Sequence, residues 1–182
     1  MKHTYIKQRG SSLIEVLVAV LILSFGLLAL GAMVAYAVQL PKLSAYRATG
    51  AVLAASHIER MRANVTGFAL GSYVEAMTFN QTLPVITACV YPACTTANIV
   101  ELDKDETNRS LRRDLPLGGM RVVCNGACAN NEGDIWIMWQ EPATSADLNS
   151  SRTDECPTAT DAPTFTAFSS PGPRCLHFRF KL

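Results

Sequence analysis

The sequence predicts an α+β fold in which a long N-terminal helix packs against a small antiparallel β-sheet with disulfide-tied loops. Three observations predict this class. An uncharged apolar stretch over residues 16–38 leads into a segment of helical periodicity that ends near residue 64. Three short segments in the second half of the chain have strand patterns. Six cysteines, all beyond residue 88, suit covalently tied loops.

The N-terminal part combines a short basic leader with an apolar stretch long enough to cross a bilayer. Lys2, Lys7 and Arg9 precede residues 16–38, which favours a cytoplasmic N-terminus. A membrane-spanning helix needs about 20 apolar residues, whereas a secretory signal has an apolar core of only about 7–15. A cleavable secretory signal and a plain signal anchor are the alternatives. Neither explains Glu15, because a carboxylate costs about 2.5–3.5 kcal/mol at a bilayer centre and therefore indicates a function and a partner.

The helix is predicted to continue beyond Pro41 as an amphipathic segment. Proline removes one backbone hydrogen bond and kinks a helix. Arg60 and Arg62 lie in the last predicted turn, where cations suit the helix dipole, and Asn64 and Gly67 are candidate C-cap residues. The apolar stripe recurs at steps of three and four residues and comprises Leu43, Tyr46, Gly50, Leu53, His57 and Met61.

One further helix is predicted at residues 102–115, after a loop region over residues 68–97. Asp103 is its candidate N-cap, with Glu106 three residues later, and Leu111 and Leu115 face inward.

Three strands are predicted after this helix, at residues 120–124, 134–140 and 175–182. The first two form a hairpin, and the last alternates between apolar and polar residues, as a half-buried strand does. Trp136 and Trp139 lie at odd spacing, so one could face outward, although a core position is commoner for tryptophan. Residues 141–173 are rich in Ser, Thr, Pro and Asp and predict a long surface excursion.

The six cysteines allow 15 disulfide connectivities. Proximity in the sequence favours Cys89–Cys94, Cys124–Cys128 and Cys156–Cys175. Because Cys89/Cys94 and Cys124/Cys128 form two close pairs, a zinc site is the alternative. The cytoplasmic N-terminus places the head across the membrane, where disulfides persist, and this favours disulfides over a metal site.

Composition and motifs argue against several function classes. The net charge is +1 and the basic residues are scattered, so no basic patch for nucleic acid is predicted. No serine or cysteine has an evident histidine and acid partner, and no phosphate-binding loop or dinucleotide motif is present. We therefore predict a non-enzymatic protein with no catalytic residues, no cofactor and no metal.

The segment Gly10-Ser11-Ser12-Leu13-Ile14-Glu15 ahead of the apolar run resembles the class III signal of type IV pilins and pseudopilins. This resemblance implies the type IV pilin fold, cleavage between Gly10 and Ser11 by a prepilin peptidase, and N-methylation of Ser11. It also implies that Glu15 pairs with the terminal amine of a neighbouring subunit. Ser11 stands where the family usually has Phe, which places the efficiency of methylation in question more than cleavage.

Within that family the chain is similar to the PilV group of minor pilins. The resemblance rests on Glu59-Arg60-Met61-Arg62-Ala63-Asn64, on residues 13–19 and 24–28, and on Leu115-Pro116-Leu117-Gly118-Gly119. It implies a leader at 1–10, a transmembrane and assembly half of the helix at 11–40, and a globular pilin head at 41–182. The implied partners are other minor pilins, the major pilin, the inner-membrane assembly platform and a tip adhesin.

The resemblance implies priming of type IV pilus assembly, a place at the pilus tip, and support of twitching motility and adhesion. The protein would lie in the bacterial inner membrane with its head in the periplasm, and on the cell surface after assembly. A disulfide in such proteins often fastens a C-terminal loop to the sheet, which gives Cys156–Cys175 a functional consequence. Two alternatives remain: a minor pseudopilin of a type II secretion system, and a membrane-anchored periplasmic binding domain that never polymerises.

Overall fold

The computed structural model describes residues 12–86, 89–90, 92–141, 156–157 and 172–182. Gly10 and Ser11 of the predicted processing site lie outside these ranges. The chain divides into two compact units, Met1–Lys42 and Leu43–Leu182. We call the second the head unit.

Helix α1 covers Leu13–Ala63 and contains Pro41. In the N-terminal unit every large apolar side chain described between Leu13 and Val38 is at least 50% exposed. Among the described residues, α1 is the one helix whose length and composition would suit a membrane span. An α-helix can cross lipid because it satisfies its backbone groups internally.

The head unit consists of the end of α1, a short helix α2 (Val65–Ala69), helix α3 (Thr96–Asp114) and three strands. Strand β1 covers Gly119–Cys124, β2 covers Glu132–Trp139 and β3 covers Arg174–Lys181. The strands form one antiparallel sheet in the order β1-β2-β3. The predicted α+β class is confirmed by the long apolar helix, the small antiparallel sheet and the disulfides.

The core of the head unit lies between the predicted stripe of α1 and one face of the sheet. Ala54, His57 and Met61 are fully buried. A Cβ atom added at Gly50 would lie 3.5 Å from Ile137 and 3.6 Å from Trp139, so α1 approaches the sheet closely there. Such close packing is typical of protein interiors.

Both tryptophans of β2 are buried, although their odd spacing places them on opposite faces of the strand. Trp139 is 1% exposed within the main core. Trp136 is 5% exposed and stacks on His177 of β3, with ring centroids 4.6 Å apart. The possibility of an outward tryptophan is therefore wrong, because β2 is the central strand and is covered on both faces.

The start of α3 differs from the prediction. The helix begins at Thr96 and not near residue 102, and Thr95 and Asn98 form a reciprocal capping box. Asp103 is therefore not an N-cap; it lies inside the helix and is nearly buried. Leu111 and Leu115 face inward as predicted.

The end of α1 also differs from the prediction. Asn64 does not cap α1 at its C-terminus; its side chain accepts a hydrogen bond from the backbone of Gly67 and caps the start of α2. The following residues reach the edge of the sheet, where Glu75 and Val122 exchange backbone hydrogen bonds of 3.0 and 3.2 Å. This contact covers the outer edge of β1.

Candidate functional site

The first candidate site is the N-terminal end of α1, where Glu15 lies in the first helical turn. Its backbone nitrogen donates to the carbonyl oxygen of Ser12 at 2.9 Å and contacts the Ser12 hydroxyl at 3.4 Å. Its side chain is exposed beside a shallow hollow formed with Val16, Ala19 and Leu23. A carboxylate suits a helix N-terminus, because the helix dipole is positive there.

Ser24, a polar residue within the apolar stretch after Glu15, is satisfied by its own helix. Ser24 donates its hydroxyl to the carbonyl oxygen of Val20 at 2.7 Å, so no donor is left unpaired at that position in lipid. A Cβ atom added at Gly26 or Gly31 would meet nothing within 4 Å. Small residues of this kind let another helix approach closely in a membrane.

The head unit contains three disulfides. The structure joins Cys89 to Cys94, Cys124 to Cys128 and Cys156 to Cys175, which are the three pairs that proximity favours. All six cysteines are paired in these disulfides, so no cysteine thiolate remains to bind zinc. No cluster of three or more His, Cys, Asp or Glu in the described ranges could hold a metal ion.

A buried polar network joins α1 to α3 and is the feature that the sequence reasoning missed. Nδ1 of His57 lies 2.8 Å from the hydroxyl of Thr107, and that hydroxyl donates to the carbonyl oxygen of Asp103 at 2.7 Å. The single Thr107 proton is thus engaged, so Nδ1 of His57 must be the donor and Nε2 carries no proton. Nε2 is buried and has no hydrogen-bond partner among the described residues.

This arrangement keeps His57 neutral. Burial, followed by the nearby charges of Arg60 and Lys104, lowers the pKa of His57 to about 4. Tyr73 packs edge-on against the imidazole, with ring centroids 5.9 Å apart.

The same network continues through Asp103. The hydroxyl of Tyr73 donates to one carboxylate oxygen of Asp103 at 2.5 Å, and Arg60 contacts the other at 3.2 Å. Burial, followed by the hydrogen bond to Asp103, raises the pKa of Tyr73. Arg60 also donates to Glu106 at 2.8 Å, and this bond is the main cause of a raised pKa of Arg60. The network joins the end of α1 to α3 within the head unit.

Comparison with known protein families finds a match at the N-terminal end of the chain. Residues 6–31 match the prokaryotic N-terminal methylation motif. This match supports a type IV pilin-like protein. No curated protein and no solved structure matches the chain significantly.

The pilin-like motif covers Glu15 and the first part of the apolar helix, so the first candidate site coincides with it. It implies processing by a prepilin peptidase, anchoring in a membrane and assembly with other pilins or pseudopilins. Proteins that carry it serve structural roles. The polar network of the head unit lies outside the motif and stabilises this pilin-like fold.

Proposed function

We propose that this protein is a minor pilin of the PilV group that helps to prime type IV pilus assembly. The pilin class of this proposal is carried by the methylation motif over residues 6–31, on an exposed apolar helix that bears one carboxylate in its first turn. The PilV group is supported by the resemblance at residues 59–64 and 115–119. The proposed boundaries are a leader at 1–10, a membrane and assembly segment at 11–40 and a head at 41–182. Cleavage between Gly10 and Ser11 creates a new terminal amine, which is then methylated.

The proposed role of Glu15 follows from electrostatics in lipid. A carboxylate near the hydrocarbon region is costly alone, and pairing with a cation on a neighbouring subunit offsets part of that cost. A monomer in the membrane therefore gains stability when its Glu15 meets the terminal amine of another pilin. Gly26 and Gly31 leave room for the neighbouring helix.

The proposed location is the bacterial inner membrane before assembly, with the N-terminus in the cytoplasm and the head in the periplasm. Three disulfides suit an oxidising compartment on the far side of the membrane. The proposed partners are other minor pilins, the major pilin, the prepilin peptidase, the inner-membrane assembly platform and a tip adhesin. A position at the pilus tip would support twitching motility and adhesion.

The decisive experiment is the N-terminal mass of the membrane-extracted protein in strains with and without prepilin peptidase. We expect a methylated peptide that begins at Ser11 and depends on the peptidase. An intact leader in both strains would contradict the proposal and favour a membrane-anchored binding domain that does not polymerise. Cleavage after Ala37 would identify an ordinary signal peptide and remove the assembly role of Glu15.

A minor pseudopilin of a type II secretion system is the second candidate, because the same motif serves both classes. Deletion of the gene separates the two. We expect loss of surface pili and twitching with normal exoprotein secretion, whereas the opposite pattern would assign the protein to a secretion system.

Substitution of Glu15 tests the assembly step itself. We expect Glu15→Ala to leave membrane insertion and cleavage intact but to lower the amount of protein in sheared pili, because the amine of the neighbour loses its counter-charge. Glu15→Asp is the matched control, since it keeps the charge. Equal amounts of the Ala variant and the unaltered protein in sheared pili would show that Glu15 is not needed for incorporation.

A further inference from the structure

A cleft of about 510 Å³ lies between helix α3 and the segment from Glu75 to Ile86. Asn98, Glu101 and Asn108 of α3 line one side of it, and an apolar run at residues 83–86 lines the other. The cleft lies within the head unit and uses neither the methylation motif nor the disulfides.

Only part of the negative charge around this cleft is neutralised within the head unit. Glu75 forms an ion pair with Lys104, and Asp105 accepts a hydrogen bond from Arg109 at 2.6 Å. Glu101 is exposed and has no ion-pair partner among the described residues. One carboxylate is therefore available to a cation that enters the cleft.

Asn108 is the polar residue of the cleft that can contact the backbone of a ligand. The residue is only 5% exposed, and its carbonyl oxygen accepts a hydrogen bond from the hydroxyl of Thr78 at 2.6 Å. Asn108 also lines the cleft, beside Glu101 of the same helix. An asparagine amide in this position can donate to a ligand that brings a carbonyl oxygen.

One arginine anchors the backbone just before the apolar side of the cleft. Arg112 donates to the carbonyl oxygens of Thr78 and Gln81 at 2.5 and 2.6 Å, which fixes the start of the segment that carries Leu83 and Val85. Val85 is 94% exposed at this wall. The wall therefore offers exposed apolar surface to a ligand, directly after an anchored backbone.

We propose that this cleft binds an extended segment of a partner protein that carries a lysine or arginine side chain. The long alkyl stem of such a residue packs on the wall around Leu83 and Val85 while its charged end reaches Glu101. A carbonyl oxygen of the partner backbone accepts a hydrogen bond from Asn108. These three contacts distinguish a basic peptide from a simple cation, which has no stem and no carbonyl.

The test uses the full chain in detergent micelles and three small probes. Nα-acetyl-arginine methylamide carries the cation, the stem and the carbonyl; the citrulline analogue lacks the charge, and ethylguanidinium lacks the carbonyl. Backbone amide NMR signals of α3 and of residues 81–86 are followed up to about 50 mM probe, because a single residue binds no tighter than the millimolar range. We expect saturable shifts with the arginine probe and at least about five-fold weaker binding of the other two.

Two variants establish the location of the site. Glu101→Gln is expected to weaken binding of the arginine probe at least about five-fold, whereas Asp114→Asn, which removes one charge from the same helix outside the cleft, is expected to leave it unchanged. Equal binding of the citrulline probe, equal binding of ethylguanidinium, or no effect of Glu101→Gln would each overturn the proposal. Shifts of the same signals with protein concentration alone would do so as well, because the occupant would then be a second copy of this chain.

Discussion

Acidification should destabilise the head unit through His57. The imidazole is fully buried on α1 and donates from Nδ1 to Thr107. The charges that act on it are Arg60 on its own helix and Lys104 on α3. Its pKa is about 4 in the folded protein and 6.5 when it is solvated. Because the unfolded chain binds the proton more tightly, the stability from this residue is fully present above pH 6.5 and falls as the pH drops from 6.5 towards 4.

The size of the effect follows from the two pKa values. Between pH 7.5 and pH 5 the expected loss of unfolding free energy is about 2 kcal/mol. With a urea dependence of about 1–3 kcal/mol per molar, the unfolding midpoint moves down by about 1 M. Trp136 and Trp139 are the two tryptophans of the chain and both are buried in the head unit, so their fluorescence reports this transition.

A variant without the imidazole provides the control. His57→Leu removes the titrating group, and Thr107 keeps its own hydrogen bond to the Asp103 carbonyl. We expect this variant to be less stable at pH 7.5 but to lose much less stability between pH 7.5 and pH 5. If it loses the same 2 kcal/mol or so, the pH dependence arises elsewhere and the lowered pKa of His57 is wrong.

Three further predictions concern the stability of the head unit, measured by the same urea unfolding. Gly119→Ala should destabilise the head unit by about 2–4 kcal/mol, because the added Cβ atom would lie 2.3 Å from the backbone nitrogen of Phe79. The control Gly50→Ala should be neutral or stabilise by up to about 1 kcal/mol. An equal loss of stability in both variants would contradict the close approach at Gly119. Replacing both Cys156 and Cys175 by Ser should lower the free energy of unfolding by about 3 kcal/mol, and replacing Cys124 and Cys128 should lower it by about 2 kcal/mol. The difference is expected because the first disulfide closes a loop with a sequence separation of 19 and the second a loop with a separation of only 4. The reverse order would show that loop closure does not determine the stability that these disulfides contribute. Leu117 has a left-handed backbone with φ of 53°, a conformation that glycine adopts without strain. Leu117→Gly should therefore stabilise the head unit by about 0.5–1 kcal/mol, while Leu117→Ala should not. A gain in stability with Ala would show that the left-handed backbone is not its cause.

Local sequence patterns predicted the elements whose burial is periodic. The stripe on α1 and the alternation in β3 are visible in the sequence because one face of each element packs on the core. The start of α3 was misplaced because its cap uses Thr95 with Asn98 in place of the commoner Glu or Gln. Asp103 and Glu106 have the spacing of a capping box although they lie inside the helix, so the sequence pattern places the helix start too late.

The polar network could not be predicted because its partners are distant in the sequence. His57 and Thr107 are 50 positions apart, and Tyr73 and Asp103 are 30 positions apart. A histidine on an apolar stripe predicts burial, but it does not predict which hydroxyl accepts its hydrogen bond. The cleft beside α3 was missed for the same reason, since Leu83 and Glu101 come together only after α3 packs against the preceding segment. The close cysteine pairs at 89/94 and 124/128 needed no such information, because their loops are short.

The two units of the chain have different stability requirements. The head unit buries its own apolar core and is cross-linked by three disulfides. The N-terminal unit buries no such core within its described residues, since its large apolar side chains between Leu13 and Val38 are each at least half exposed. Burial of one such side chain stabilises by about 1.5–3 kcal/mol. Summed over residues 13–38, the free energy that burial of these side chains would provide exceeds the roughly 5–15 kcal/mol that stabilises a typical domain. This unit therefore requires lipid or neighbouring helices. Glu15 is the one charged residue described in that stretch, and we propose that it acts in assembly and not in the fold of the head. A Glu15 variant with unaltered tryptophan fluorescence and lowered incorporation would therefore separate assembly from folding.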